Sequence, residues 1–197
     1  IFEPTLGDIF VPIIPAIVAS GLLMGIMNTL DYLINTYGWN IDRTSSVYVF
    51  ANMFSNTAYT FLPILIGFSA AKVFGGNQFL GAVIGMIMIH PSLTNAWSVA
   101  SMVANGEAIP KQSVFFGLWQ IESVGYQGHV IPIMISVWVM CEIEKRLHKV
   151  VPAAIDLFVT PLVSIFVAGY LALAAVGPVF VFIENGFLNA VQMLIAI

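Results

Sequence analysis

The chain has 197 residues, of which 59% are apolar and only 8% charged, with 6 basic and 10 acidic side chains and a net charge of −4. A water-facing domain carries about 25% charged residues to solvate its surface, so an ordinary soluble fold is excluded and no nucleic-acid partner is expected. With a mean hydropathy of +0.96, the long apolar runs must meet lipid or one another, which predicts an all-α, polytopic membrane protein.

The net charge says little about orientation, because acidic residues contribute weakly to it. The single cysteine, Cys141, allows no intrachain disulfide framework; within VWVMCEI it is expected to pack as a small hydrophobe. The chain opens with IFEPTLGD, without a basic leader region or a small-residue cleavage site. It stops at Ile197 inside the apolar run FLNAVQMLIAI. Both ends are expected to be cuts in a longer polypeptide.

A helix crossing the hydrocarbon core needs about 20 residues, and five segments meet that length. The first is Ile9 to Leu33, with Pro12 and Pro15 near its start. The second is Val47 to Lys72, the third Phe79 to Trp97 and the fourth Gly125 to Ile143. The fifth, Pro152 to Val176, is expected to break at Gly177-Pro178 before a sixth apolar stretch, Val179 to Ile197. That last stretch reads as a truncated span or as a re-entrant or interfacial segment. Five to six spans result. Between them, Asn35 to Ser46 reads as an outer loop, and Ser98 to Ser123, with Phe115, Phe116 and Trp119, as an outer excursion lying on the interface. Positive loops stay cytoplasmic. A cytoplasmic N-terminus places Lys72, Lys145, Arg146 and Lys149 inside and leaves Arg43 and Lys111 outside.

Along this frame no HExxH, CxxC, GxSxG or phosphate-loop motif occurs, so no catalytic residue, metal or cofactor is expected. The glycine pairs Gly21/Gly25 and Gly81/Gly85 have the spacing of helix contact faces. His90-Pro91-Ser92 predicts a helix break, whose freed carbonyl a Ser or His can satisfy; the functional counterpart is unwound backbone lining a polar path, which makes His90 a candidate. GYQGHVIP, Gly125 to Pro132, places Tyr126, Gln127 and His129 together. A sugar needs paired donors and acceptors beside an aromatic plane, which these residues offer, whereas Gly125, Gly128 and Pro132 are the pattern of a tightly packed, bent helix. Glu142 and Glu144 are expected to pair with Lys145 and Arg146 or to be solvated at a helix end, and Asp156 to pair with the same basic cluster or to stabilise a helix N-terminus. Glu184, after the Gly-Pro break, is the acid without such an explanation and is retained as a ligand candidate.

The ordered series Phe68-Ser-Ala-Ala-Lys72, Phe74-Gly-Gly-Asn77, His90-Pro-Ser-Leu93, Gly125-Tyr-Gln-Gly-His-Val-Ile-Pro132 and Glu144-Lys-Arg146 resembles the membrane domain of a bacterial sugar phosphotransferase permease. This is the enzyme II C domain of the glucose superfamily, in its sucrose, trehalose and β-glucoside branch. The fourth segment and the run Lys149-Val-Val-Pro-Ala-Ala-Ile-Asp156 look most like sucrose permeases, with trehalose next. The resemblance implies a fold of about ten transmembrane helices in the bacterial inner membrane, a homodimer in contact with lipid, and a disaccharide substrate. It further implies B and A domains as partners that phosphorylate the incoming sugar. Residues 1–197 would then form the scaffold and dimerisation half. Segments such as Gly-Leu-His-His or Gly-Ile-Thr-Glu, carrying the main sugar-binding histidine and glutamate of the family, are not found; nor is the phosphorylatable cysteine of a B domain. GYQGHVIP is accordingly expected to pack a scaffold helix, with Tyr126, Gln127 and His129 as rim contacts. The rival classes are an ion-coupled secondary transporter, whose uptake an uncoupler would collapse, and a membrane interaction protein that binds no sugar.

Overall fold

The computed structural model describes residues 6–183 and Gly186, and the chain divides into two compact units, residues 1–62 and 63–197. Each is built mainly of helices. Three stretches, Leu6–Tyr37, Ser46–Val73 and Ala153–Ile183, are long and apolar enough to cross a membrane.

In the first unit, helix α1 (Leu6–Phe10) passes through a 3-10 turn at Val11–Ile13 into α2 (Ile14–Tyr37). Pro12 and Pro15 sit at the starts of these successive segments, where a missing N–H costs nothing. Gly38, at φ 66°, ends α2 in the left-handed conformation that a residue without Cβ adopts freely. The loop turns on Asp42, which accepts from the Thr44 hydroxyl at 2.6 Å and the Thr44 amide at 2.8 Å; these bonds hold its carboxyl below the usual range. Ser45 then caps α3 (Ser46–Thr60). Asp31 joins Tyr48 by a short hydrogen bond, the Ala58 amide donates to Ser20 Oγ at 3.3 Å, and the Tyr59 hydroxyl donates to the Ile17 carbonyl at 3.4 Å. Residue numbers rise on α3 as they fall on α2, so the two helices run antiparallel. Gly21 makes room for Tyr59, since a Cβ there would lie 2.9 Å from its hydroxyl, whereas Gly25 has nothing within 4 Å.

The second unit begins with α4 (Leu62–Val73), which packs on α5 (Gln78–Met88) through glycine. A Cβ on Gly67 or Gly81 would strike the other's backbone carbonyl, and one on Gly85 would strike the backbone of Pro63 and Ile64. Gly81 and Gly85 are thus the contact face that their spacing predicts. Helix α7 (Ile131–Val150) buries Ile133, Val137, Met140 and Cys141 against α5 and α8 (Ala153–Leu171). Cys141 is fully buried, as expected of a small apolar side chain.

Several boundaries differ from expectation. The third segment is helical only as far as Met88. The fourth starts at Ile131 and not Gly125, and continues to Val150. The second is interrupted at Phe61. Gly177-Pro178 does not break the fifth: residues 177–183 remain helical after a π-turn at Ala172–Val176. The wider π-turn widens the helix where the Pro178 ring would otherwise meet the carbonyl of Ala174. The described residues are mostly helical, as the all-α reading expects, with one small β element added. The excursion after α6 (Val99–Ala104) contains an antiparallel hairpin, β1 (Lys111–Val114) and β2 (Trp119–Glu122), paired Lys111 to Glu122 and Val114 to Trp119.

Candidate functional site

Helix α5 has 11 residues, which reach about 16 Å at 1.5 Å per residue, roughly half of a hydrocarbon core of about 30 Å. Asn77 caps its start, accepting from the Phe79 and Leu80 amides at 2.9 and 3.3 Å. Beyond Met88 the chain continues as irregular backbone; inside a bilayer such backbone is viable only when protein or trapped water satisfies it. The loop before α7 does so. The Tyr126 amide donates to the Met88 carbonyl, the Gly125 amide to Thr94, and the Thr94 amide to Ser123, each at 2.8 Å. The GYQGHV stretch is therefore a packed loop, not the bent helix its glycines and proline predict. Gly128 turns it at φ 81°, where a Cβ would be strained.

This geometry separates the five candidate ligands. Gln127 is buried, and its Oε1 accepts from the Ala96 amide at 3.0 Å; it holds two loops together. Tyr126 is buried, with its ring against Gly177 so closely that a Cβ there would overlap it. His129 is partly exposed, its ring edge-on to Tyr126 at 6.0 Å between centroids. His90 is exposed, and its Nδ1 accepts from the Ser92 amide at 3.1 Å, which satisfies the turn as a break at His-Pro requires. Glu184 lies outside the described residues. Tyr126 and His129 are brought together with each other, but His90 does not join them among the residues lining the cavity they share.

That cavity, of about 530 Å³, is lined by Trp119, Gln120, Glu122, Tyr126 and His129 together with an apolar wall including Pro178 and Phe182. A second cavity of about 420 Å³ adjoins it through Ile121, Glu122, Val124 and Tyr126, and is otherwise closed mainly by Ile87, Val114, Ile165 and Phe166. The first has the aromatic planes, carboxylate, amide and imidazole that a polyol requires; the second suits an alkyl chain. Sequence reasoning missed Trp119, Gln120 and Glu122. The available signal was WQIE after the FFG turn, an alternating run that the length of the excursion concealed. The hairpin holding them is pinned to α8: the Phe115 amide donates to the Tyr170 hydroxyl at 2.8 Å, and the two rings meet edge-on at 5.5 Å. Phe115, Phe116 and Gly117 all have positive φ, so the turn carries strain at two non-glycine residues.

A second polar cluster fastens the other end of α5. Glu144 on α7 is buried, and its Oε2 accepts from the Asn77 amide at 2.8 Å. His148 lies 3.8 Å from Glu144 Oε1 and 2.7 Å from Asp156 Oδ2, and the Thr160 hydroxyl donates to the other oxygen of Asp156. Glu142 pairs with Lys145 and Arg146 at 3.2 and 3.9 Å, as expected; Glu144 finds a different partner from the basic residues expected of it, while Asp156 sits in the first turn of α8, its other expected position. Among the described residues no group of three or more His, Cys, Asp or Glu is placed to hold a metal ion.

The Tyr126–Gly177 contact makes a direct prediction. Gly177→Ala is expected to destabilise the protein by about 1–3 kcal/mol through overpacking, read as a lower melting temperature in detergent. Removing the opposing ring in the double variant Tyr126→Ala/Gly177→Ala is expected to relieve that cost; equal Gly177→Ala effects in both backgrounds would show that the ring is not the obstacle.

The family described as phosphotransferase system, EIIC matches residues 7–197. The chain is 51% identical over 177 residues to the sucrose-specific EIIBC component of Bacillus subtilis (strain 168), covering 90% of the chain and 36% of that relative. It is 47% identical over 173 residues to the sucrose-specific EIIBC component of Klebsiella pneumoniae, covering 88% and 35%. With the trehalose-specific EIIBC component of Bacillus subtilis (strain 168) it shares 40% identity over 190 residues, covering 92% and 39%. The chain thus spans little more than a third of the length of these curated relatives. No solved structure matches.

Proposed function

Because the chain belongs to the phosphotransferase system EIIC family, we propose that it is the N-terminal half of a permease membrane domain that takes up sucrose and delivers it for phosphorylation. The observation that carries the sugar assignment is the 51% identity to a sucrose-specific relative, against 40% to a trehalose-specific one. In this reading the complete domain crosses the bacterial inner membrane five to six times within residues 1–197, with a cytoplasmic N-terminus and the basic end of α7 inside. It works as a homodimer with this half as scaffold. B and A domains supply the phosphoryl group, a partnership supported by the EIIBC and EIIBCA names of relatives, and no catalytic residue is assigned here.

Polar loops closing a helix of half-membrane length support a place on the transport path, since unwound backbone at membrane depth is a recurring feature of transporter sites. Of the five candidate ligands, His129 and Tyr126 line a cavity of suitable chemistry, Gln127 supports the loop, and His90 and Glu184 stay as proposals.

The test is phosphoenolpyruvate-dependent sucrose and trehalose phosphorylation in membrane vesicles bearing the full-length protein. Wild type is expected to phosphorylate sucrose in preference to trehalose. Gln127→Ala is expected to lower the amount of folded protein, because the Ala96 amide is left without its acceptor at about 1–3 kcal/mol, while the apparent KM of the surviving fraction stays near wild type. His129→Ala is expected to raise KM. Sucrose uptake that is insensitive to phosphoenolpyruvate but collapses with an uncoupler would replace this reading by ion-coupled transport.

A further inference from the structure

We propose that Trp119, Gln120 and Glu122 of β2, with His129 and Tyr126, form a capture subsite for one ring of an unphosphorylated sugar. The proposal rests on the sugar-transport reading and deepens it, because it names residues outside the original candidates and the charge state of their ligand.

A pyranose or furanose ring presents an apolar C–H face and a rim of hydroxyls, so its site needs a flat apolar surface bordered by groups that both donate and accept. The indole of Trp119 is 54% exposed, leaving aromatic surface available as the platform. The Glu122 carboxylate offers two acceptor oxygens and the Gln120 amide a donor and an acceptor, while His129, whose Nδ1 faces the Gln127 carbonyl at 3.3 Å, borders them. Neither the Gln120 nor the Glu122 side chain makes a hydrogen bond or ion pair among the described residues. Lys111 stands opposite Glu122 in the hairpin register, yet it forms no ion pair with Glu122 among the described residues and does not line the cavity. The carboxylate is therefore left to a ligand or to water. A volume of about 530 Å³ lies within the range of about 300–1,000 Å³ for small-molecule sites.

The sign of the charge selects the ligand further. Among the described residues Glu122 is the one Asp, Glu, Lys or Arg lining this cavity. A phosphorylated sugar would bring its anion against an unpaired carboxylate, whereas a neutral sugar brings hydroxyl donors that the carboxylate accepts. The subsite accordingly favours substrate over product. Its framework is rigid where it matters: β2 is held by β1, the hairpin turn by Tyr170, and the Tyr126 backbone by Met88.

The experiment measures initial rates of phosphoenolpyruvate-driven sucrose uptake by the full-length protein in right-side-out vesicles. Variants are Trp119→Ala, Trp119→Phe, Glu122→Gln and Glu122→Asp, with Leu118→Ala as a hairpin control that does not line the cavity. Trp119→Ala and Glu122→Gln are expected to raise KM about tenfold, equivalent to about 1.4 kcal/mol, with the maximal rate per folded transporter within about twofold of wild type. Trp119→Phe and Glu122→Asp are expected to recover most of the affinity, and Leu118→Ala to leave KM unchanged. An active wild type whose variants all keep its KM overturns the subsite alone, as does a lowered maximal rate at constant KM, which marks a structural role. A wild type that transports neither sucrose nor trehalose overturns the sugar reading and the subsite with it.

Discussion

Gly85→Ala is expected to lower the melting temperature of the detergent-solubilised protein sharply, and Gly85→Leu to eliminate the monodisperse folded fraction. The added Cβ of alanine would fall on the carbonyl of Pro63 and the Cα of Ile64. These are backbone atoms at the start of α4, and they cannot rotate aside as the tip of a side chain could. Inserting atoms into a close-packed contact costs about 1–3 kcal/mol and occasionally more; the backbone obstacle places Gly85→Ala at or above the top of that range. Gly25→Ala is the matched comparison, since nothing lies within 4 Å of a Cβ there. In mid-helix it is expected to be neutral or to stabilise by about 0.5–1 kcal/mol. A Gly85→Ala melting temperature equal to wild type would show that α4 and α5 do not meet through this glycine.

Glu144→Ala is the second large effect. Removing this buried carboxylate deprives the Asn77 amide of its acceptor and His148 of one of its two acidic neighbours. A hydrogen bond to a charged group contributes about 1.5–3 kcal/mol, and stranding a buried donor adds its desolvation cost, so a loss of about 2–4 kcal/mol is expected. Glu144→Gln keeps a neutral acceptor and a similar volume and is expected to cost about half as much. The contrast is readable by melting curves and by faster proteolysis in the loop of residues 74–77. If the two variants melt alike, the cost is packing and not the hydrogen bond.

The glycine face of α5 was legible in the sequence because its cause is local: two small residues four positions apart lie on one side of a helix. The burial of Cys141 was legible for the same kind of reason, its run being apolar on both sides. The irregular stretch around Gly125 was not, although its residues were singled out. Gly, Pro and an apolar run fit a bent helix and a tight loop equally well, and the deciding partners, Met88, Thr94 and Ala96, lie about 30 to 40 residues away. The continuation of the helix through Gly177-Pro178 was hidden too, since a π-turn that absorbs a proline leaves no mark in residue type. Glu144 was placed beside Lys145 and Arg146 by adjacency in the chain. Helical geometry instead turns it inward, toward the α4–α5 loop, and leaves Glu142 to the cations. For the cavity, Tyr126 and His129 could be chosen from their chemistry, but Trp119 and Glu122 come from a hairpin whose strands are four residues each, too short for alternation to stand out.

The half-length of α5 also bears on how the chain is made. An insertion machinery that releases helices one at a time into lipid has little to recognise in a helix of 11 residues, and such a segment alone in a bilayer would leave its C-terminal carbonyls facing hydrocarbon. The neighbours that α5 has for such a step are α4, through the glycine face, and α7, through Glu144 and the loop that covers Met88. The loop caps the end of α5 only after the ribosome has synthesised about 40 further residues. Until then the emerging chain holds an unfinished helix, and the length of that waiting interval is written into the distance between Met88 and Tyr126.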